Sequence, residues 1–217
     1  MLFPLHWFVF TSCPLCRRPV EASGAPPGQA CAACQQRLAL PHQGLSGNDP
    51  LPWWGAGGYG GALRELLLDL RRRPRAEAVA ALARGVGLAL ADPGRSGPCQ
   101  RRLLVPIPSW KRSANPLPPL FCRALERQGP FRREALLERS RPVLGQHHLG
   151  RRLRFANQAG AFRCLRFPEP GEARRRPVLI VDDILTTGAT AASAATTLAA
   201  AGWRVEGLVC LARTPAR

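Results

Sequence analysis

Leucines recur at helical spacing along Gly61-Ala-Leu-Arg-Glu-Leu-Leu-Leu-Asp-Leu-Arg-Arg-Arg73, and Pro74 supplies a stop, so the pattern predicts a helix over this stretch. A second helix is expected from Ala76 to about Leu90, closed by Asp92-Pro-Gly94, and a third between about Pro118 and Arg127, ended by Gly129-Pro130. Between them Arg102-Leu-Leu-Val-Pro-Ile-Pro108 reads as a short buried strand running into a proline-rich loop. The clearest strand is Val178-Leu-Ile-Val181, four apolar residues in a row, which suits a parallel strand covered on both faces. An alanine-rich helix follows Gly188 to about Ala201, Gly202 ends it, and Trp203 to Ala212 reads as another strand. Strand, loop, helix, strand is a βαβ unit.

Three stretches break this pattern. Pro41-His-Gln-Gly-Leu-Ser-Gly-Asn-Asp-Pro50 is rich in turn formers and divides the chain into an amino-terminal cysteine module, residues 1–45, and a larger domain, residues 50–217. The stretch from about Leu136 to Ala161 mixes Arg, His, Gln and Gly with weak periodicity and reads as a mobile segment containing a helix. Pro168 to Pro177 reads as a surface loop. The expected fold is an α/β domain with a mainly parallel sheet behind a small cysteine-rich module.

Of 8 cysteines, four fall in Cys13-Pro-Leu-Cys16 and Cys31-Ala-Ala-Cys34. Each pair brings two thiolates to one side of a tight turn, and together they supply the four sulfur ligands of a tetrahedral structural zinc in a zinc ribbon. With every position taken by sulfur, that metal has no open site for catalysis. Cys99, Cys122, Cys164 and Cys210 sit in apolar surroundings and read as free thiols, the last two on strands.

The 217 residues allow one substantial core and a small appended module. Charge adds a partner class. Lys and Arg total 31 against 14 Asp and Glu, a formal +17, and Lys111 is the sole lysine. Arginine richness alone fits a GC-rich genome; the scarcity of acids does not, and points to a polyanionic ligand or partner. The apolar opening Met1-Leu-Phe-Pro-Leu-His-Trp-Phe-Val-Phe10 lacks a basic leader and a cleavage site, and is far below the ~20 residues that span a bilayer. A cytoplasmic protein without stable membrane insertion is therefore expected.

The chemistry concentrates after Val181. Asp182 and Asp183 stand at the carboxyl end of a strand, where ligands of open α/β sheets collect. Ile184-Leu-Thr-Thr-Gly-Ala-Thr190 then feeds a helix amino terminus. Backbone N–H groups of Thr186, Thr187, Gly188, Ala189 and Thr190, with the threonine hydroxyls, make an anion cradle that a 5-phosphate would fill. Two carboxylates beside it would repel a bare phosphate, whereas they accept hydrogen bonds from two ribose hydroxyls. A helix cap alone would need a single Thr or Asp.

Val181-Asp-Asp-Ile-Leu-Thr-Thr-Gly-Ala-Thr190 resembles the signature of type I phosphoribosyltransferases, which bind 5-phosphoribosyl 1-pyrophosphate with magnesium. The cysteine module, Tyr59 with the leucine-rich helix after it, Leu104-Val-Pro-Ile-Pro108, and Gln146, Leu149, Arg154, Asn157 and Gly160-Ala-Phe162 are similar to the ComF family of competence-associated proteins. The resemblance covers almost the whole chain. It implies a phosphoribosyltransferase-like domain with Mg2+ accompanying the ligand, and a role in DNA uptake with competence-machinery partners. The alternative it leaves open is a non-catalytic module that senses a phosphoribosyl compound or nucleotide and binds single-stranded DNA.

By analogy Lys111 and Arg112 lie where such folds hold pyrophosphate, although a solvated basic loop fits them as well, and the family's Arg-Gly-Phe-Asn stretch is here Trp110-Lys-Arg-Ser-Ala-Asn-Pro-Leu-Pro118. Arg151, Arg152 and Arg154 fit a loop closing over the pyrophosphate, a DNA-facing surface or a solvated helix face. Where purine-type members carry an aspartate base, this chain has Thr186, whose hydroxyl is no base near neutral pH. No catalytic residue is therefore assigned. Arg17, Arg18 and Arg37 beside the cysteines are a candidate nucleic-acid contact, His147-His148 reads as exposed loop, and Trp53-Trp54 as core rather than a base-stacking platform.

Overall fold

The computed structural model describes residues 11–20, 28–91, 101–109, 115–140 and 160–215. In chain order these form β1 (Thr11–Ser12), β2 (Pro19–Val20), α1 (Ala32–Arg37), β3 (Leu45–Gly47), β4 (Trp53–Gly55), α2 (Gly61–Arg72), α3 (Ala76–Leu90), β5 (Arg102–Pro106), α4 (Leu117–Glu126), β6 (Phe131–Arg133), β7 (Leu137–Arg139), β8 (Phe162–Cys164), α5 (Glu172–Arg175), β9 (Val178–Val181), β10 (Ile184–Leu185), α6 (Ala189–Ala200), β11 (Val205–Cys210) and β12 (Ala212–Arg213). The helices after Gly60 and Arg75 start and stop within a residue or so of the leucine and alanine patterns that predict them. Pro74 cannot continue α2, which ends at Arg72.

Six strands build the central sheet in the order β3-β4-β11-β9-β5-β6. β4, β11, β9, β5 and β6 run parallel, and β3 closes one edge antiparallel to β4. The molecule is thus mixed α/β with a mostly parallel sheet. Side chains alternate between the two faces as the pleat demands. On β9, Leu179 and Val181 enter one core with Leu63, Leu67, Val79, Leu82, Phe121 and Leu125 of α2, α3 and α4. Val178 and Ile180 enter the other, with Ala191, Ala194 and Leu198 of α6 and with Phe162 and Trp203. All four β9 residues are buried, which is why that strand is apolar without interruption.

Several elements escape the hydrophobic pattern. β3 lies inside the turn-rich stretch 41–50, and β6 has only Phe131 buried, so three residues show no alternation to read. The stretch beginning near Leu136 contains β7, which pairs antiparallel with β8; residues 141–159 of it lie outside the described residues. α5 falls in the expected loop 168–177. It is fastened by Arg166, whose guanidinium donates to Glu172 at 2.9 and 3.0 Å and to Glu134 at 2.7 Å and stacks 4.8 Å from the Trp203 ring. Those hydrogen bonds hold the Glu172 carboxyl down at about 2. The expected strand 203–212 divides: β11 stays in the main sheet, while β12 leaves it to pair with β10.

The cysteine module does not stand apart from the larger core. Cys13, Leu15, Ala30, Cys34 and Leu38 are buried in the same cluster as α2 and α3. Arg75 Nη1 donates to the carbonyls of Pro14 and Leu15 at 3.1 and 3.3 Å, tying the first knuckle to the α2–α3 corner. Among the described residues no helix is long and apolar enough to cross a membrane.

Candidate functional site

Two sites emerge. In the first, β1 and β2 pair around the Cys13–Cys16 knuckle, and Arg17, at a φ of 61°, turns the chain back so that Cys13 N–H reaches the Arg18 carbonyl at 2.9 Å. Cys31 stands at the start of α1 and Cys34 within it. The sulfurs of Cys13, Cys16, Cys31 and Cys34 all lie within 4.8 Å of one another, and Cys16 and Cys31 are 3.9 Å apart. A tetrahedron with metal–sulfur bonds of about 2.3 Å has edges near 3.8 Å, so the group fits a four-coordinate metal ion. Burial opposes the Cys13 thiolate, yet N–H groups of Cys31, Cys16 and Leu15 outweigh it and bring the thiol to about 6. Burial and its sulfur neighbours push Cys34 up. A cation among the four sulfurs would relieve that repulsion.

The second site forms where the sheet register aligns strand ends. Pro106 and Val209 both stand opposite Val181, and Gly55 stands opposite Cys210, so β5, β9, β11 and β4 end together. Beyond β9, Asp182 N–H still bonds the Val209 carbonyl at 3.0 Å, and Asp183 N–H turns onto Asp182 Oδ1 at 2.9 Å. Asp183 is 2% exposed. Its Oδ2 accepts from Arg71 Nε on α2 and from Asn115 Nδ2, each at 2.7 Å. Asn115 Oδ1 takes the N–H of Leu117, the first residue of α4, at 3.1 Å, which fixes the amide to point its NH2 group at Asp183. Burial opposes the Arg71 charge, and the Asp183 hydrogen bond more than restores it. Asp182 is half-buried; desolvation and the adjacent Asp183 carboxylate push its carboxyl up to about 8.

After β10, Thr186 is exposed, Thr187 half-buried, and Gly188 takes a φ of +77° at the head of α6. A side chain at Gly188 would be strained by that φ, and its Cβ would stand 2.3 Å from Pro50 Cγ. Ala189 N–H faces Thr187 Oγ1 at 3.5 Å. Beside this loop lies a cleft of about 400 Å³ lined by Asp182, Asp183, Thr186 and Thr190 with Tyr59, Arg71, Ser109, Asn115 and Arg139. Arg139 arrives from β7, donating through Nε to the Pro108 carbonyl at 3.1 Å and lying 4.4 Å from the Phe162 ring. Burial lowers its pKa from the usual arginine range, and the Asp182 charge acts against that.

Of the residues singled out in the sequence, the four cysteines come together, and Asp182, Asp183, Thr186 and Thr190 share the cleft. Lys111, Arg112, Arg151 and Arg154 lie outside the described residues, as do Arg152, Cys99 and His147-His148. Cys122, Cys164 and Cys210 are free thiols. Trp54 is buried, and Trp53 is half-buried with Arg213 5.7 Å from its ring. Sequence reading missed Arg71, Asn115 and Arg139. Arg71 follows Leu67 by four positions and so lies on the apolar stripe of α2, where a cation has a reason to be; that phase was its only signal. Compared with models of protein families and with curated proteins, the chain finds no match.

Proposed function

We propose that the chain binds 5-phosphoribosyl 1-pyrophosphate in the cleft beyond β9 and is a phosphoribosyltransferase of the type I kind whose acceptor is unassigned. The observation carrying this reading is that the adjacent acids Asp182 and Asp183 share one cleft with Thr186 and Thr190 of the loop and with arginines from two other elements. The 5-phosphate meets the N–H groups and hydroxyls at the head of α6. Asp182 and Asp183 take the two ribose hydroxyls, and Arg71 and Asn115 hold Asp183 in place through its Oδ2. Arg71 and Arg139 suit the ligand's remaining charge. Magnesium would accompany the pyrophosphorylated ligand. When bound it would neutralise charge on the leaving group. The cysteine metal is zinc, held for structure.

The test is calorimetric titration of 5-phosphoribosyl 1-pyrophosphate with magnesium into wild type and Asp182→Asn. Binding by wild type that weakens at least tenfold in the variant supports the site; no binding, or equal binding, overturns it. The single variant is preferred because Asp183 also fastens α2 and α4. Thr186 offers no base, so transfer to hypoxanthine or guanine is expected to be undetectable.

A second reading, engagement of single-stranded DNA, draws on a notch of about 450 Å³ between the first knuckle and the α2–α3 corner, lined by Arg17, Arg73 and Arg75. Backbone-dominated binding there would weaken steeply with salt.

A further inference from the structure

The loop that heads α6 is held from behind by a residue at the far end of the chain. β12 lies parallel to β10, with Leu185 opposite Arg213. From that position Arg213 Nη1 donates to the carbonyl of Leu185 at 3.2 Å and to the carbonyl of Thr186. Its main chain joins a second wall of the cleft: Arg213 N–H bonds the Gly57 carbonyl at 3.0 Å, and Tyr59 N–H bonds the Arg213 carbonyl at 2.7 Å. Trp53 lies under the guanidinium. Arg213 therefore touches β4, the segment leading into α2, and the loop after β10.

Peptide geometry says what this grip does. In a trans peptide the C=O and the following N–H point opposite ways. With the Leu185 and Thr186 carbonyls drawn to Arg213, the N–H groups of Thr186 and Thr187 are turned away from it. Among the described residues neither makes a hydrogen bond, and neither does that of Gly188. Free N–H groups presented together ahead of a helix are what an anion needs.

We propose that Arg213 is the positioning residue of the phosphate loop, holding two loop carbonyls so that the adjoining N–H groups face the ligand's phosphate. This rests on the phosphoribosyl reading and acts through the loop, without requiring that Arg213 touch the ligand. It also gives β12 a purpose, since leaving the main sheet after Cys210 is what brings Arg213 behind the loop.

Ribose 5-phosphate is the probe, titrated into wild type, Arg213→Met and Arg213→Lys at about 0.05 M and about 0.5 M salt. Arg213→Met keeps the stem over Trp53; Arg213→Lys keeps the charge but not the planar fork that spans two carbonyls. Positioning predicts about tenfold weaker binding by Arg213→Met, a deficit of the same factor at both salt concentrations, and incomplete rescue by lysine. In Arg213→Met the amide resonances of Thr186 and Thr187 are then expected to lose most of the shift that ligand addition gives them in wild type. A deficit that vanishes at high salt with full rescue by lysine would mean Arg213 acts only as a charge, and overturns the proposal. Equal binding by wild type and variants overturns it too, leaving the site itself standing, whereas no binding by wild type removes the site and the proposal together. Should Arg213→Met not fold, Arg213→Lys decides alone: wild-type affinity overturns, reduced affinity at both salts supports.

Discussion

Removing Arg71 probes how the site is held. Arg71 Nε lies 2.7 Å from Asp183 Oδ2, with 37% of the arginine side chain exposed against 3% of the aspartate. Breaking a buried pair from one side costs about 3–5 kcal/mol, whereas an exposed pair is worth about 0–1 kcal/mol. Here water reaches the guanidinium but hardly the carboxylate, so little replaces the lost donor, although Asn115 remains at 2.7 Å. Arg71→Met, which keeps the apolar stem, should therefore cost about 2 kcal/mol, between those limits. In urea unfolding with a slope of about 2 kcal/mol per molar, the midpoint falls by about 1 M. The same substitution in an Asp183→Asn background should cost under about 0.5 kcal/mol, because the charge it compensates is gone. Equal losses in the two backgrounds, or a loss below about 0.5 kcal/mol in wild type, would refute the assignment of Arg71 as the partner that makes a buried Asp183 tolerable.

Other consequences can be checked separately. With Asp182 at about 8 in the fold and about 3.9 in the unfolded chain, the native state keeps a proton that the unfolded state releases, so stability should fall as pH rises from about 4 to about 8; Asp182→Asn should flatten that slope in urea midpoints taken across the range. Gly188→Ala combines a φ of +77° with a Cβ 2.3 Å from Pro50, and should lower the urea midpoint by the equivalent of at least about 2 kcal/mol, with ligand affinity dropping too. Chelation should release one zinc per chain, read by a metallochromic dye, and lower the melting temperature. Cys34→Ser should do the same, because the module shares its core with α2 and α3.

The parts of this molecule legible in the sequence are those encoded by neighbours. Val178 to Val181 are contiguous and buried on both faces, so their apolar run is self-announcing, and the knuckles declare themselves by two-residue gaps. β3, β6 and β12 are two or three residues long, too short for a period of two to register, and they form because a strand from elsewhere in the chain offers each an edge. The Asp182-Asp183 pair was readable for the same reason as β9: the residues are adjacent.

Their partners were not readable. Asp183 is preceded by another acid and followed by Ile184 and Leu185 of β10, so its immediate neighbours carry no cation to neutralise it. The compensating groups have to come from other elements. They come from Arg71, 112 positions away, and Asn115, 68 positions away. Only strand order brings those positions within 2.7 Å, since β4 leads into α2 and β5 leads toward α4, and β4 and β5 lie on opposite sides of the β11–β9 pair. A local motif of this kind therefore names the anionic half of its site and leaves the cationic half to the topology.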